Sequence, residues 1–200
     1  MEIEELKKKI ELIKLKGGKS KLERKPVIFV DQDDVCNNYV ENFVDRYNKK
    51  FSKNKTEEDV ISWDILSHLG QEAECLFYEY EIFKDLNVRE HCYEVFKVLF
   101  ESDLFEMYIL SAAHPYSVRY KFDWIKEKLD FFDTTHFVTG CNKNLYKGDI
   151  LLDDGIHNIE EFTNGEGIIF DRPHNRSYKG NAKRVYDWYE FANYILDKFY

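Results

Sequence analysis

The sequence lacks the excess of positive charge that proteins binding nucleic acid carry. Its 200 residues include 29 Lys and Arg against 38 Asp and Glu, so the formal net charge is −9 at pH 7. A surface of this charge repels a polyanion, and the sequence contains no basic stripe to overcome that repulsion. We therefore exclude a nucleic acid polymer as a partner and expect a small molecule instead.

Long hydrophobic runs and paired cysteines are also missing. No stretch approaches the ~20 consecutive apolar residues that a membrane-spanning helix needs, and the first residues form no apolar signal segment. The four cysteines are dispersed and include no Cys-x-x-Cys pair: Cys36, Cys75, Cys92 and Cys141. We therefore expect no membrane partner, free thiols, and a cytoplasmic location.

An apolar run that leads directly into acidic residues is the most informative feature present. Residues 27–30 are apolar, and Asp31, Asp33 and Asp34 follow them. The run predicts a buried strand whose carboxyl end presents carboxylates. Taken alone, such acids often only cap the next helix or lie solvated in a loop.

A second acidic pair changes that interpretation. Residues 150–152 form another short apolar run, and Asp153 and Asp154 follow it. In a parallel sheet both groups of acids would meet outside the carboxyl ends of the strands, where ligands bind. Clustered carboxylates need a cation, so we expect a hard divalent ion with oxygen ligands, above all Mg²⁺.

Two further residues complete a set of groups suited to phosphoryl transfer. Ser111 ends the apolar run at 107–110, and Lys143 stands ten residues before Asp153. The barrier to phosphoryl transfer lies mainly in positioning and in neutralising charge on the phosphoryl oxygens, which an ion, an ammonium and a hydroxyl can do. A loop lysine is usually solvated, and only the spacing to Asp153 favours a role for Lys143.

The order of these motifs resembles the haloacid dehalogenase-like superfamily of phosphatases. Further local matches are similar to the 5'(3')-deoxyribonucleotidases, particularly their bacterial and phage-type members: Ser62-Trp63-Asp64, Phe83-Lys84-Asp85-Leu86, Leu110-Ser111-Ala112-Ala113, and residues 167–171 followed by Pro173-His174-Asn175. The resemblance covers about residues 26 to 195. It departs at Asp34, where the family more often has glycine.

The alternation of strands and helices predicts an α/β fold with a doubly wound, Rossmann-like parallel sheet. Strands are expected at 27–30, 107–110, 136–139, 150–152 and 167–170, and helices at 35–48, at 120–128, after Gly155 and at 183–198. Residues 49–100 contain no convincing core strand, only helical segments around 57–69, 71–80 and 89–102. This segment resembles the small helical cap that the family inserts after its first motif, which would close over the site and exclude water.

Residues 1–25 differ in character from the rest of the chain. Apolar residues recur near helical spacing among charged ones, and Gly17-Gly18-Lys19-Ser20 then breaks the pattern. We interpret the segment as a solvated helical extension on a flexible linker, with the phosphatase domain at 26–200. The alternative is a helix that binds a partner and could mediate a homodimer.

The resemblance implies a role for each acid. Asp31 is the nucleophile that forms an aspartyl-phosphate, with its other oxygen on Mg²⁺. Asp33 is the general acid and base, and its main-chain carbonyl is a metal ligand. Asp154 is the remaining protein ligand, with Asp153 beside it as an orienting acid, and the two exchange roles if the register slips by one.

The resemblance also implies which residues hold the substrate. Lys143 and Ser111, together with the amide of Ala112, would bind the phosphoryl oxygens. Aromatic residues are candidate walls of the substrate pocket, although aromatic residues at helical spacing usually belong to a core: Trp63, Phe43 and Phe83.

These roles predict an Mg²⁺-dependent phosphomonoesterase that hydrolyses deoxyribonucleoside monophosphates. One alternative is a phosphatase for another small phosphoester such as a sugar phosphate, because caps diverge while core motifs persist. A second is a non-catalytic, receiver-like module, which also gathers acids, a hydroxyl and a lysine around Mg²⁺. The second acid, Asp33, and the cap favour the enzyme, because a receiver needs neither a leaving-group acid nor a lid.

Overall fold

A parallel sheet forms the centre of the computed structural model, which describes residues 2–200. Its six strands are β1 (Val27–Val30), β2 (Glu106–Ser111), β3 (Phe137–Thr139), β4 (Ile150–Asp153), β5 (Glu166–Phe170) and β6 (Lys183–Val185). They lie in the order β3-β2-β1-β4-β5-β6, and every neighbouring pair is parallel. The predicted α/β fold is therefore confirmed, and the first strand lies at the point where the winding direction reverses, which is where such sheets bind ligands.

Helices cover both faces of this sheet, so its apolar strands are buried. They are α1 (Ile3–Leu15), α2 (Tyr39–Phe51), α3 (Ile65–Leu69), α4 (Glu81–Lys84), α5 (Cys92–Glu101), α6 (Val118–Lys128), α7 (Ile156–Glu161) and α8 (Trp188–Phe199). Short 3₁₀ turns lie at Glu57–Asp59, Gln71–Tyr78, Thr134–His136, Lys143–Leu145 and Pro173–Asn175. Within residues 2–200, none of the helices has the length and apolar character that crossing a membrane requires.

The segment between β1 and β2 forms a second apolar cluster beside the main core. The cluster runs from Val40 on α2 to Phe83 on α4 and also includes the 3₁₀ turn at Gln71–Tyr78. The next helix, α5, instead buries Val95 and Phe96 in the main core. The separately packed unit thus includes α2 and ends before α5, whereas we expected an insertion at 49–100.

The N-terminal helix packs on the main core, which corrects the expectation of a solvated helix on a flexible linker. Leu6 and Ile10 are buried against the layer formed by α5 and α8. The linker is held as well, because the backbone N–H of Lys21 donates to the carbonyl of Phe199 at 2.8 Å. The apolar stripe of α1 thus covers a hydrophobic face that α5 and α8 would otherwise expose.

The segment predicted as one helix at 183–198 is divided into a strand and a helix. Lys183–Val185 pairs with β5, and the helix α8 begins only at Trp188. Asp187 caps that helix, because its carboxylate accepts the N–H of Glu190 at 2.7 Å. The helix prediction was wrong for the first residues, where backbone pairing with β5 outweighs local helical preference.

Candidate active site

The two acidic motifs meet at the carboxyl edge of the sheet. Asp31 follows β1, Asp153 ends β4, and Asp154 comes next; one oxygen from each lies within 4.8 Å of the others. All three side chains are buried. Burial raises the pKa of Asp31 to about 8; Lys143 opposes this rise, while Asp153 and Asp154 add to it.

Lys143 supplies the positive charge at the centre of this cluster. Its Nζ donates to Asp31 Oδ1 and, at 2.5 Å, to Asp153 Oδ2. Burial alone would lower the pKa of Lys143, but these two carboxylates raise it above its ordinary value. One ammonium faces three buried carboxylates, so the set of donors fits a hard divalent cation, which prefers oxygen ligands.

Asp153 and Asp154 have different surroundings. Asp153 accepts from Lys143, and its Oδ1 also accepts the N–H of Gly155 at 2.8 Å and the amide of Asn158 at 3.1 Å. Asp154 Oδ2 lies 2.9 Å from Nε2 of the buried His174, in ion-pair contact but without an aligned hydrogen bond. Burial opposes ionisation of Asp154, but His174 together with the charges of Lys143 and Arg172 holds the pKa of Asp154 below its ordinary value.

Asp33 is held by two donors, one of which the sequence analysis missed. Its Oδ1 accepts the amide of Asn37 at 3.0 Å, and its Oδ2 accepts Lys121 Nζ at 2.5 Å. Lys121 lies on the first turn of α6 and is buried. A lysine in an amphipathic helix is ordinarily expected to be exposed to solvent. The only feature of the sequence that could have pointed to a role for Lys121 is its position on the helix that follows the Ser111 loop.

Asp34 occupies the position where the family more often has glycine. Its φ of +56° lies in the left-handed region, which Asp tolerates better than most residues. The carboxylate accepts the N–H of Val40 at 3.1 Å and the guanidinium of Arg89 at 2.7 Å. Burial raises the pKa of Asp34 to about 7, although Arg89 acts in the opposite direction.

A cavity of about 460 Å³ opens above the acids and lies between the sheet and the separately packed unit. Its floor includes the acids with Ser111, Ala112 and Lys143, and its opposite wall is formed by apolar residues of the segment between β1 and β2: Val40, Val60, Ile65, Phe77 and Phe83. Trp63 also lines the cavity and makes edge contacts with His157 and His174, at ring-centroid distances of 4.7 and 5.6 Å.

Phe43 does not line this cavity, which corrects the expectation that it forms a pocket wall. Its side chain is fully buried in the second apolar cluster, where its ring packs against Phe77 at a centroid distance of 4.8 Å. It lies on the same apolar stripe of α2 as Val40 and Tyr47. Phe43 therefore supports Phe77, which does reach the cavity.

The fold is that of haloacid dehalogenase-like hydrolases. A family member from Deinococcus radiodurans, solved with bound phosphate and sodium, superposes with a TM-score of 0.59 at 10% identity, covering 87% of this chain and 96% of that one. A haloacid dehalogenase-like family hydrolase from Streptococcus pneumoniae gives a TM-score of 0.56 at 12% identity, covering 86% of this chain and 98% of that one.

The sequence narrows the class to one family. Residues 25–199 match the family model of the "5' nucleotidase, deoxy (Pyrimidine), cytosolic type C protein". The 5'(3')-deoxyribonucleotidase of Bacillus subtilis is 34% identical over 178 residues, covering 86% of this chain and 99% of the relative. That of Clostridium acetobutylicum is 33% identical over 170 residues, covering 83% and 92%. The chain belongs to this family, which confirms the resemblance found in the motifs and the prediction of a phosphoric monoester hydrolase.

Proposed function

We propose that the protein hydrolyses deoxyribonucleoside monophosphates to deoxynucleosides and phosphate, with Mg²⁺ and through an aspartyl-phosphate on Asp31. The observation that carries the proposal is the convergence of Asp31, Asp153, Asp154 and Lys143 on the floor of a cavity whose opposite wall is apolar. A charged floor suits the phosphate, and an apolar wall suits the sugar and the base. The relatives are named as deoxyribonucleotidases, and their substrates would have both a phosphate for the floor and a sugar and base for the wall.

Two carboxylates and one main-chain carbonyl would supply the protein ligands of the proposed metal site. Mg²⁺ would be held by Asp31, Asp154 and the main-chain carbonyl of Asp33. Asp153 would orient Lys143 and fix the backbone at the end of β4. Asp153 already accepts from three protein donors, whereas Asp154 faces only His174, so Asp154 has the freer oxygens. When bound, the ion neutralises charge on the phosphoryl oxygens.

The protein's own groups would carry out the two chemical steps. An oxygen of Asp31 attacks phosphorus as the bond from phosphorus to the sugar oxygen breaks. Protonated Asp33 gives its proton to the sugar oxygen. Asp33 then takes a proton from water, which attacks the phosphorus of the aspartyl-phosphate and releases phosphate. Lys143, the Ser111 hydroxyl and the Ala112 amide bind the phosphoryl oxygens throughout.

The apolar wall predicts a preference for deoxyribose. A 2'-hydroxyl buried there without a partner costs roughly 1–3 kcal/mol. We therefore expect kcat/KM for dUMP to exceed that for UMP by about 10- to 100-fold. Trp63→Ser should narrow this gap more than it slows a generic phosphoester, and equal rates on dUMP and UMP would contradict the proposed substrate class.

Phosphate release from a panel of monophosphates, with and without Mg²⁺, tests the proposal directly. The panel contains deoxyribonucleotides, ribonucleotides and sugar phosphates, and Asp31→Asn is the control. We expect dUMP-type substrates to be hydrolysed fastest, only with Mg²⁺, and at least about 1,000-fold more slowly by Asp31→Asn, since an amide is a far poorer nucleophile. Turnover of sugar phosphates alone would contradict the substrate class, and an active, folded Asp31→Asn would contradict the covalent mechanism.

A further inference from the structure

We propose that Lys121 is a positioning residue that holds the general acid Asp33 and the phosphate-binding hydroxyl of Ser111 in one arrangement. The inference rests on the proposed function, because it concerns the same reaction. Lys121 belongs to none of the motifs that define the resemblance. We infer that it acts on the reaction through two of the residues that it contacts, Asp33 and Ser111.

The ammonium group of Lys121 has a partner for each of its three protons. Its Nζ lies 2.5 Å from Asp33 Oδ2, 2.9 Å from Ser111 Oγ and 2.7 Å from the carbonyl oxygen of Ala112. An ammonium has three donors and no acceptor, so these three contacts use all of them. Its side chain is only 5% exposed, so water cannot easily replace a lost partner.

The backbone of Lys121 is held by the same loop that its side chain holds. Gln32, which stands between the two catalytic acids, donates from its amide to the carbonyl oxygen of Lys121 at 3.1 Å. Gln32 is fully buried. The first turn of α6 and the loop after β1 are thus joined at two points, and this fixes the distance between Lys121 and Asp33.

These contacts determine where two functional groups point. With Oδ1 held by Asn37 and Oδ2 by Lys121, the carboxyl group of Asp33 has one orientation toward the cavity. Ser111 Oγ accepts a hydrogen bond from Lys121, and its own hydrogen makes only a long contact of 3.5 Å to the carbonyl of Ala112, so it can turn toward a phosphoryl oxygen. Lys121 therefore orients both the Asp33 carboxyl group, which would protonate the leaving group, and the Ser111 hydroxyl, which would bind the phosphate.

Lys121→Met is the direct test, because methionine keeps the length of the side chain and removes the charge and the donors. Lys126→Met is the matched control, since Lys126 is exposed on the same helix. With Mg²⁺ present, we expect Lys121→Met to lower kcat for dUMP by about 100-fold, part of the ~10² to 10⁴ that general acid catalysis supplies. With 4-nitrophenyl phosphate, whose leaving group departs without a proton, the loss should be about 10-fold or less.

A double-mutant cycle separates positioning from a general structural role. If Lys121 acts through Asp33, the double variant Asp33→Asn/Lys121→Met should be no more than about 10-fold slower on dUMP than Asp33→Asn alone. The double variant also removes the charge of Asp33, which Lys121→Met alone leaves without its ammonium partner, so it should fold even where Lys121→Met does not. Lys121→Gln, which keeps a donor, should recover part of the activity.

The outcomes distinguish the inference from the function on which it rests. Equal losses on dUMP and 4-nitrophenyl phosphate with fully additive effects in the cycle would overturn the positioning role. An active Lys121→Met beside a slow Asp33→Asn would overturn the inference alone. A fully active Asp33→Asn would overturn the proposed role of Asp33 itself, and the inference with it.

Discussion

At the scale of single residues, the acids of the site oppose folding when no cation balances them. Asp31 is buried beside Asp153 and Asp154, and Lys143 opposes the resulting rise in the pKa of Asp31 without cancelling it. Desolvation is the main reason that the pKa of Asp31 rises from 3.8 to about 8. A group whose pKa is higher in the folded protein favours unfolding when it ionises. Reactivity at Asp31 thus comes with a loss of stability at neutral and alkaline pH.

This balance predicts that Asp31→Asn stabilises the metal-free protein. The contribution of Asp31 to stability is present below about pH 4 and is lost as the pH rises to about 8, so the variant should gain most at pH 8. We expect a gain of at least about 1 kcal/mol, or about 2–4 °C in Tm, by thermal unfolding in chelator.

Asp45→Asn on the exposed side of α2 is the control and should leave Tm nearly unchanged at both pH 5 and pH 8. Mg²⁺ should raise the Tm of the wild type more at pH 8 than at pH 5. A metal-free Asp31→Asn variant with the same Tm as the wild type at pH 8 would contradict the predicted effect of burial.

At the scale of elements, two linkers join the separately packed unit at 40–83 to the rest of the fold, and they pair with each other beside the site. Asn37 and Val88 form an antiparallel bridge between them. Arg89, on the returning linker, contacts Asp34 in the loop after β1 at 2.7 Å and Glu57 in the inserted unit at 2.5 Å. The guanidinium is largely buried, so this bridge connects the loop after β1 with the wall of the cavity.

Arg89→Met should therefore destabilise the protein by about 3 kcal/mol, because it leaves the buried Asp34 carboxylate without its charge partner. Glu58→Gln is the matched control: Glu58 also joins the two units, through Arg176 at 2.6 Å, but both side chains are at least half exposed. Breaking that pair should cost less than about 1 kcal/mol. Urea unfolding measures both, and equal losses would show that burial does not govern the Arg89 bridge.

At the scale of the whole molecule, the protein has an N-terminal helix that lies outside the family match. The match begins at residue 25, whereas α1 ends at Leu15. Leu6 and Ile10 of α1 nevertheless belong to the main core, and Lys9 pairs with Asp197 on α8 at 2.8 Å. The helix is therefore an integral layer of this fold.

Leu6→Ala should destabilise the protein by about 2–4 kcal/mol, because it removes buried methyl groups and leaves a cavity. Leu15, on the same helix, is 80% exposed, and Leu15→Ala should change stability by no more than about 0.5 kcal/mol. Urea unfolding curves of both variants provide the measurement. Equal and small effects would mean that α1 does not contribute to the cooperative core.

Local patterns were sufficient to predict the architecture and the position of the acids. The apolar runs before Asp31 and Asp153 predicted two strands, and β1 and β4 are adjacent and parallel in the structure. Alternating strands and helices predicted the sheet, because right-handed parallel crossovers leave few other arrangements. The strand ends then had to bring the acids together, so no knowledge of side-chain packing was needed.

Tertiary structure alone decided which distant side chains became partners. A lysine at 121 predicts a solvated helix face, and only packing of α6 against the loop after β1 places its ammonium on Asp33, 88 residues away in sequence. The apolar periodicity likewise predicted burial for Phe43, but not which cluster its side chain joins. Val185, predicted to be helical, instead pairs with β5 as part of a strand. A sequence pattern specifies how strongly a side chain avoids water, whereas the surface or charge that it meets depends on elements that are distant in the chain.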